Sequence, residues 1–267
     1  APALPLNAVG QIDASAAAVT VKDIEVQLGD TTATGSLAAK LGDKTEADIA
    51  LKVGRVNLDK FLADSPEPPA APASAAAGTA AAPAGTASTP ADKFSIPADI
   101  KAALDVTVDA IMFKGGAIRD TRLSALADNG EVELKRASAV LPGSGRIGLA
   151  GRLKAIEGKP NFQGNLDAAA DNLRVLLGWL GGNVDEIPPD RLRTLRLAAK
   201  LIGDPAQVQI LDLDVALDSS RITGGVTYAL RARPAFGASI AIDQFNADAY
   251  VPAKPDSRTT PPLPGRA

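Results

Sequence analysis

The main candidates for chemistry in this chain are its carboxylates, because the sequence contains no histidine and no cysteine and so lacks the usual general base. Without those two residue types a Ser-His-Asp triad, a Cys-His pair and the usual zinc, haem and iron-sulfur ligand sets cannot form. The 31 Asp and Glu residues are mostly the polar partners of alternating strand patterns, and no spacing marks a general acid-base pair. The sequence therefore predicts a non-enzyme, with no catalytic residue, metal ligand or cofactor.

Charge and hydropathy argue against two further classes of protein, those that bind nucleic acid and those that span a membrane with an apolar segment. A net charge of −3 with 28 basic residues gives no polybasic patch, and aromatic residues make up only 3% of the chain, so nucleic acid is not an expected partner. The longest apolar runs are far shorter than the ~20 residues that cross a bilayer. Met112 is the only methionine, so we expect the chain to be processed or cut from a longer one.

Composition divides the chain into four segments. Residues 65–92 are rich in Pro, Ala, Ser, Thr and Gly and poor in large apolar groups, which predicts a disordered loop. Residues 254–267 have the same character and are expected to form a disordered tail. Residues 1–64 then form a first β segment, and residues 93–253 form two further β segments with a helix near 172–181.

Outside the two biased tracts the hydrophobic period is two, as in Ile49, Leu51 and Val53, which alternate with polar or small residues. Glycine and asparagine turn signals separate the runs at hairpin distances. The pattern predicts a mainly β fold, a long curled antiparallel sheet of about a dozen strands. Phase slips at Asp23, Arg136-Ala137 and Ile210-Leu211 predict β-bulges, which a long sheet needs in order to curl.

A glycine followed 21 or 22 residues later by an asparagine marks a degenerate repeat. It occurs three times, as Gly35 and Asn57, Gly151 and Asn172, and Gly224 and Asn246. Each asparagine is interpreted as the N-cap of a short helical turn. Repeats that cannot bury an apolar face alone build extended sheets or solenoids, which favours a scaffold or conduit over a compact pocket.

The segment after Asn172 is the one clear helix. Its leucines fall at i, i+3, i+4 and i+7, and Gly181-Gly182 ends the run. Trp179 lies off this stripe and is expected to be a partly exposed edge residue. The residues expected to cover the apolar face of the sheet are Leu173, Leu176, Leu177 and Leu180.

A sheet with one wide apolar face can be covered as a sandwich, as a barrel or as an open trough occupied by something apolar. Small aliphatic side chains suit a groove for flexible chains, whereas large aromatics usually dominate sandwich packing. The residue pattern alone is compatible with two arrangements. One is an open trough, and the other is a closed β-sandwich with a dry core and a structural or protein-binding role. The expected trough lining is Ile49, Leu51, Val106, Leu149, Leu166, Leu197, Val226 and Ile240.

Three motifs resemble the bacterial AsmA family. They are the Gly-x-Leu strands (35–37 and 151–153), the Asn-Leu-Asp-x-Phe-Leu segment (57–62) and the closing segment 245–252. The stretch from Asp109 to Leu134 resembles the central part of the same domain. The resemblance covers about residues 19–252, interrupted by the 65–92 tract.

The resemblance implies the periplasmic part of an inner-membrane protein whose anchor is absent from this chain. It is similar to the bridge-like lipid-transfer proteins, whose curled sheets carry phospholipid acyl chains along a hydrophobic groove. The implied function is non-catalytic, in phospholipid transport between membranes or in outer-membrane assembly and homeostasis. The implied partners are phospholipid acyl chains and a membrane, with envelope protein partners left open.

Overall fold

The computed structural model describes residues 6–63, 93–230 and 233–243. The fold is mainly β and consists of one open sheet of thirteen strands, in which each strand lies beside its predecessor in the chain. The expectations for 65–92, for 254–267 and for a cap at Asn246 concern residues outside the described ranges. The elements are β1 Leu6–Ala14, β2 Ala18–Leu28, β3 Thr31–Lys40, β4 Thr45–Asn57, α1 Leu58–Ala63, β5 Ile100–Phe113, β6 Gly116–Asp128, β7 Glu131–Leu141, β8 Gly145–Ile156, β9 Lys159–Ala170, α2 Leu173–Trp179, β10 Leu195–Asp204, β11 Gln207–Leu217, β12 Ser220–Ala229 and β13 Ala235–Ile242.

Both helices lie at the same end of the strands, which we call the helix end. In α1, the Asp59 carboxylate accepts hydrogen bonds from the backbone N–H groups of Lys114 (2.7 Å) and Gly115 (3.1 Å) in the turn after β5. In α2, the indole Nε1 of Trp179 donates to the carbonyl oxygen of Phe113 at 2.9 Å. The helices therefore tie together the strand ends on this side of the sheet.

The opposite end, the turn end, is closed by tight hairpins. Asn129 and Gly130 join β6 to β7 with φ values of 51° and 76°, and Glu157 and Gly158 join β8 to β9 with 53° and 72°. Two consecutive positive φ values define the type I′ turn, whose twist matches that of the flanking strands. The turn signals of the sequence thus fix antiparallel neighbours here.

One pairing departs from the expected antiparallel pattern. β4 and β5 are parallel, with Ile49 opposite Leu104, while the other neighbouring strands are antiparallel. Because parallel neighbours start at the same end, the chain must return to the turn end before β5. Residues 93–99 run along that end, where Phe94 N donates to Gly158 O and Thr45 N donates to Asp99 O, both at 2.9 Å.

The three predicted bulges are confirmed by shifts of register. They fall between Val21 and Ile24 in β2, between Leu134 and Ala137 in β7, and between Ile210 and Leu213 in β11. At the first and third, Asp23 and Asp212 have φ values of 49°. A short polar side chain tolerates this left-handed conformation better than a branched one, which explains the residue type.

The repeated glycine lies directly opposite an apolar residue beside each bulge. Gly35 faces Ile24, Gly151 faces Leu134 and Gly224 faces Leu213. The repeat unit is therefore a bulged strand, a glycine strand and a third strand. It corresponds to β2–β4, β7–β9 and β11–β13.

The same atomic contact explains the glycine in all three units. A β-carbon on Gly35 or Gly151 would lie 2.5 Å from a carbonyl oxygen of the third strand, that of Ala50 or of Gln163, and one on Gly224 would meet the carbonyl oxygen of Ser239. In each case the oxygen belongs to the residue before the glycine's own register partner. Only glycine allows the backbones to approach this closely.

The packed core is small and lies at the helix end. Its buried members are Ala170, Leu173, Leu176 and Leu192, with Leu177 and Trp179 packed against them. Asn172 caps α2, since its side chain accepts a hydrogen bond from Val175 N at 3.3 Å. Asn57 caps α1 through Lys60 N at 3.1 Å, as the repeat predicts.

The helix cover is shorter than the leucine stripe suggested. Leu173 and Leu176 are buried and Leu177 is half-buried, but Leu180 is 56% exposed. Leu180 follows the last helical residue, and Gly181 at φ 92° turns the chain away. Leu180 therefore does not cover the sheet, and α2 covers only residues at the helix end, among them Ala170 of β9, Leu195 of β10 and Leu217 of β11.

Candidate functional site

The register of the thirteen strands places one residue from every strand in a single row across the sheet. Each member is the register partner of the next, and all are aliphatic or glycine. We call this the central row. It consists of Ile12, Val21, Leu37, Ile49, Leu104, Ala125, Leu134, Gly151, Gly164, Leu201, Ile210, Val226 and Ala238.

A second row runs beside the first, nearer the turn end, and is also apolar in every strand. Register partners point to the same face of a sheet, so the two rows belong to one surface, the apolar face. Within these two rows, the hydroxyl of Tyr228 is the single polar side-chain group. This row consists of Ala14, Val19, Ala39, Ala47, Ala102, Ala127, Val132, Leu153, Phe162, Gly203, Val208, Tyr228 and Phe236.

The structure brings all eight predicted lining residues onto this face. Ile49 and Val226 lie in the central row. The other six lie toward the helix end, in the next two rows. They are Leu51, Val106, Leu149, Leu166 and Ile240 in the nearer row and Leu197 in the farther one.

Alanines on the apolar face are less exposed to solvent than neighbouring alanines on the opposite face. Ala38 and Ala39 are neighbours on β3, yet Ala38 on the opposite face is exposed and Ala39 is half-buried. On β10, Ala198 is exposed whereas Ala199 is only 6% exposed. The described residues supply no second sheet over this face. A sheet that curls toward its apolar side produces this difference between matched residues.

Phe162 fills the one place where the central row has two adjacent glycines. Its ring carbon Cζ lies 2.7 Å from the position of a β-carbon on Gly151 and 2.8 Å from that of one on Gly164. An aromatic ring over a cross-strand glycine restores the packing that the missing side chain removes. This role of Phe162 was not predicted, because the glycine pair becomes visible only in register.

The opposite face of the sheet is polar and carries ion pairs. Lys200 Nζ lies 2.7 Å from Asp212, whose hydrogen bond raises the pKa of Lys200. A hydrogen bond from Arg221 lowers the pKa of Asp214. A shallow hollow of about 750 Å³ lies mainly over the polar side of β7–β10. Its charged lining, with Lys135, Arg152, Lys154, Lys200 and Glu133, marks it as the water-facing side.

Within residues 6–63, 93–230 and 233–243, no three His, Cys, Asp or Glu side chains come together as a possible metal site. In the same ranges, no helix is long and apolar enough to cross a membrane.

No protein-family model, no curated protein and no solved structure matches this chain. The resemblance to the AsmA family stays a hypothesis that depends on the motifs given above.

Proposed function

We propose that this chain is a segment of an AsmA-like lipid conduit, which holds phospholipid acyl chains against the apolar face of its sheet. The observation that carries the proposal is the central row, in which all thirteen strands contribute an aliphatic residue or glycine without interruption. Acyl chains offer neither hydrogen bonds nor charges, so a surface without polar side chains is complementary to them.

The size of the face supports an apolar occupant. Twelve strand spacings of ~4.8 Å give the rows a length of ~58 Å, and several rows together present on the order of 1,000 Å². Soluble monomers rarely expose contiguous apolar patches larger than a few hundred Å². Each acyl CH₂ that leaves water for such a surface contributes ~0.8 kcal/mol.

The length of the rows suits transport better than storage of one molecule. One leaflet of bilayer hydrocarbon is ~15 Å thick, half of the ~30 Å core, so a row can hold several acyl chains end to end. Because successive positions along a row differ little in chemistry, an acyl chain that moves along the row exchanges one aliphatic contact for another. Movement then needs no catalytic residue and no cofactor.

The wider setting follows the family resemblance and belongs to the same proposal. The chain would act in the periplasm, as the periplasmic part of an inner-membrane-anchored protein. It would serve phospholipid transport between membranes or assembly and homeostasis of the outer membrane.

The alternative is a structural domain whose apolar face binds another protein. Protein interfaces depend on a few large anchors, chiefly Trp, Tyr and Arg in central pockets. In the two rows given above, the aromatic residues are Phe162, Tyr228 and Phe236, all in the row nearer the turn end. A smooth aliphatic surface of this kind favours flexible acyl chains over a folded partner.

A matched pair of substitutions on β4 tests the proposal. Ile49 and Ala50 are adjacent, both exposed, and lie on opposite faces. The purified full chain is incubated with vesicles that contain a phospholipid with a photoreactive acyl chain, and crosslinked lipid is measured by mass spectrometry. A carboxylate beside acyl chains costs on the order of 2–3 kcal/mol, so Ile49→Glu should reduce crosslinking more than tenfold. Ala50→Glu should leave it unchanged.

Two results would overturn the proposal. One is equal crosslinking by Ile49→Glu and Ala50→Glu, which would place the lipid elsewhere. The other is the absence of phospholipid, both in organic extracts of the purified wild-type chain and after exposure to vesicles. Circular dichroism of both variants verifies that the sheet is intact.

A further inference from the structure

The two outer strands of the sheet, β1 and β13, each have a free edge in the part of the chain that the structure describes. β13 carries no charged residue, no proline and no bulge along Ala235–Ile242. Natural sheets block exposed edges with such devices, and an edge that lacks all of them is open to pairing with another strand. β13 is therefore built to accept a partner strand.

We propose that the partner is β1 of a second copy of this chain, so that copies join edge to edge into a longer sheet. The strand directions allow this. β1 starts at the helix end, where Leu6 pairs with Leu28, and β13 finishes at the same end, where Ile242 pairs with Ile222. Placed side by side, the two strands are antiparallel, with the apolar faces on one side and the helix ends aligned.

Continuity of the rows across the junction fixes one register, and this register matches large residues with small ones. The central row continues when Ala238 faces Ile12 of the next copy. Every apolar-face pair then combines a bulky side chain with alanine or glycine, as Gly35 combines with Leu51 inside the sheet. The pairs are Phe236 with Ala14, Ala238 with Ile12, Ile240 with Gly10 and Ile242 with Ala8.

Exposure at the two edges agrees with this pairing. Ile12 and Phe236 are each 71% exposed, and Ile240 and Ile242 are each 51% exposed. On the polar face the same register puts Val9, also 71% exposed, opposite Ala241. Antiparallel self-pairing of β13 in its longest register with both apolar faces on one side would instead place Phe236 against Ile242, large against large. The heterologous junction is therefore the better fit, and since it does not close on itself it adds copies in line.

Cysteine crosslinking tests the junction directly, because the chain has no cysteine of its own. Directly opposed residues in antiparallel strands have Cα atoms ~4.5–5.5 Å apart, within the range of a disulfide. A mixture of Ile12→Cys and Ala238→Cys chains should give the mixed disulfide on oxidation, and neither variant alone should do so. Asp13→Cys replaces Ile12→Cys in the control, because Asp13 lies on the opposite face and should not crosslink to Ala238→Cys.

Sedimentation supplies the second measurement. The wild-type chain should form multiples of its 27.1 kDa mass as concentration rises, and Ile12→Lys should sediment as a monomer. Ala38→Lys, on the polar face of the interior strand β3, is the matched control and should associate like the wild type.

A wild-type chain of 27.1 kDa at every concentration would overturn the inference, as would a disulfide formed by Ala238→Cys alone in preference to the mixed one. The inference depends on the sheet edges and not on lipid. A monomer that still crosslinks phospholipid would refute the junction and leave the proposed conduit standing.

Discussion

Gly151→Ala tests whether the repeated glycine is required by the close approach of two backbones. The new β-carbon would lie 2.5 Å from the carbonyl oxygen of Gln163, 2.7 Å from Cα of Gly164 and 2.7 Å from the Phe162 ring. The first two atoms belong to the backbone of β9. No side-chain rotation can relieve those contacts, so the two strands must move apart.

The size of the effect follows from two opposing terms. Overpacking typically costs ~1–3 kcal/mol, and fixed backbone atoms place this site in the upper part of that range. Alanine recovers ~0.5–1 kcal/mol, because it restricts the unfolded chain more than glycine does. We expect a net loss of about 2 kcal/mol, which lowers the melting temperature by ~4–8 °C in a chain of this size.

Urea denaturation followed by far-UV circular dichroism measures this loss. Gly237→Ala is the matched control, because a β-carbon on Gly237 of β13 would meet nothing within 4 Å. It should raise stability by ~0.4–1 kcal/mol. If Gly151→Ala were as stable as the wild type, with an unchanged dependence on urea, the close-approach explanation of the repeat would be wrong.

Two further predictions concern the helix cover and the turn end. Leu176→Ala should lower the free energy of unfolding, measured by urea denaturation, by ~2–5 kcal/mol, because Leu176 is only 9% exposed in the core. Leu180 is 56% exposed, so Leu180→Ala should change it by less than ~0.5 kcal/mol. Equal losses in the two variants would contradict the packing of α2. A hydrogen bond from Lys44 lowers the pKa of Asp128 in the folded chain. The ion pair therefore stabilises the fold fully above the unfolded pKa of ~3.9, and this stabilisation is lost as the pH falls through the lower folded pKa. The stability difference between wild type and Asp128→Asn should therefore stay constant from ~pH 8 to ~pH 5 and close in more acidic solution, and a difference that persists in strong acid would refute this assignment.

The strands and bulges could be predicted from the sequence because both leave a trace in the period-two pattern. At Asp23 and Asp212 an extra residue shifts the apolar positions from one parity to the other, which is visible without coordinates. A fourth bulge, between Arg119 and Arg122 of β6, was not predicted. The residues from Arg119 to Arg122 are all polar, so no apolar position marks the change of parity.

The site could be predicted only as a set of residues on one face. The alternating pattern shows that Ile49 and Leu149 both lie on the apolar face. It does not show that Ile49 lies in the central row and Leu149 in the adjacent row. Rows depend on register, and register across the parallel β4–β5 pair is set after a long connection that carries no strand pattern. The glycine pair under Phe162 was missed for the same reason.

The order of the strands explains how the described residues leave most of such a face uncovered. Because each strand pairs with its predecessor, the turns and helices that join antiparallel neighbours lie at the strand ends, where they do not cross the apolar face. Adding a strand lengthens every row by ~4.8 Å and leaves the width of the face unchanged. A bulge and a glycine beside it recur in each of the three units. A sheet of this design can therefore be lengthened by repeats within one chain, or by edge pairing between chains, while its apolar face keeps the same chemistry.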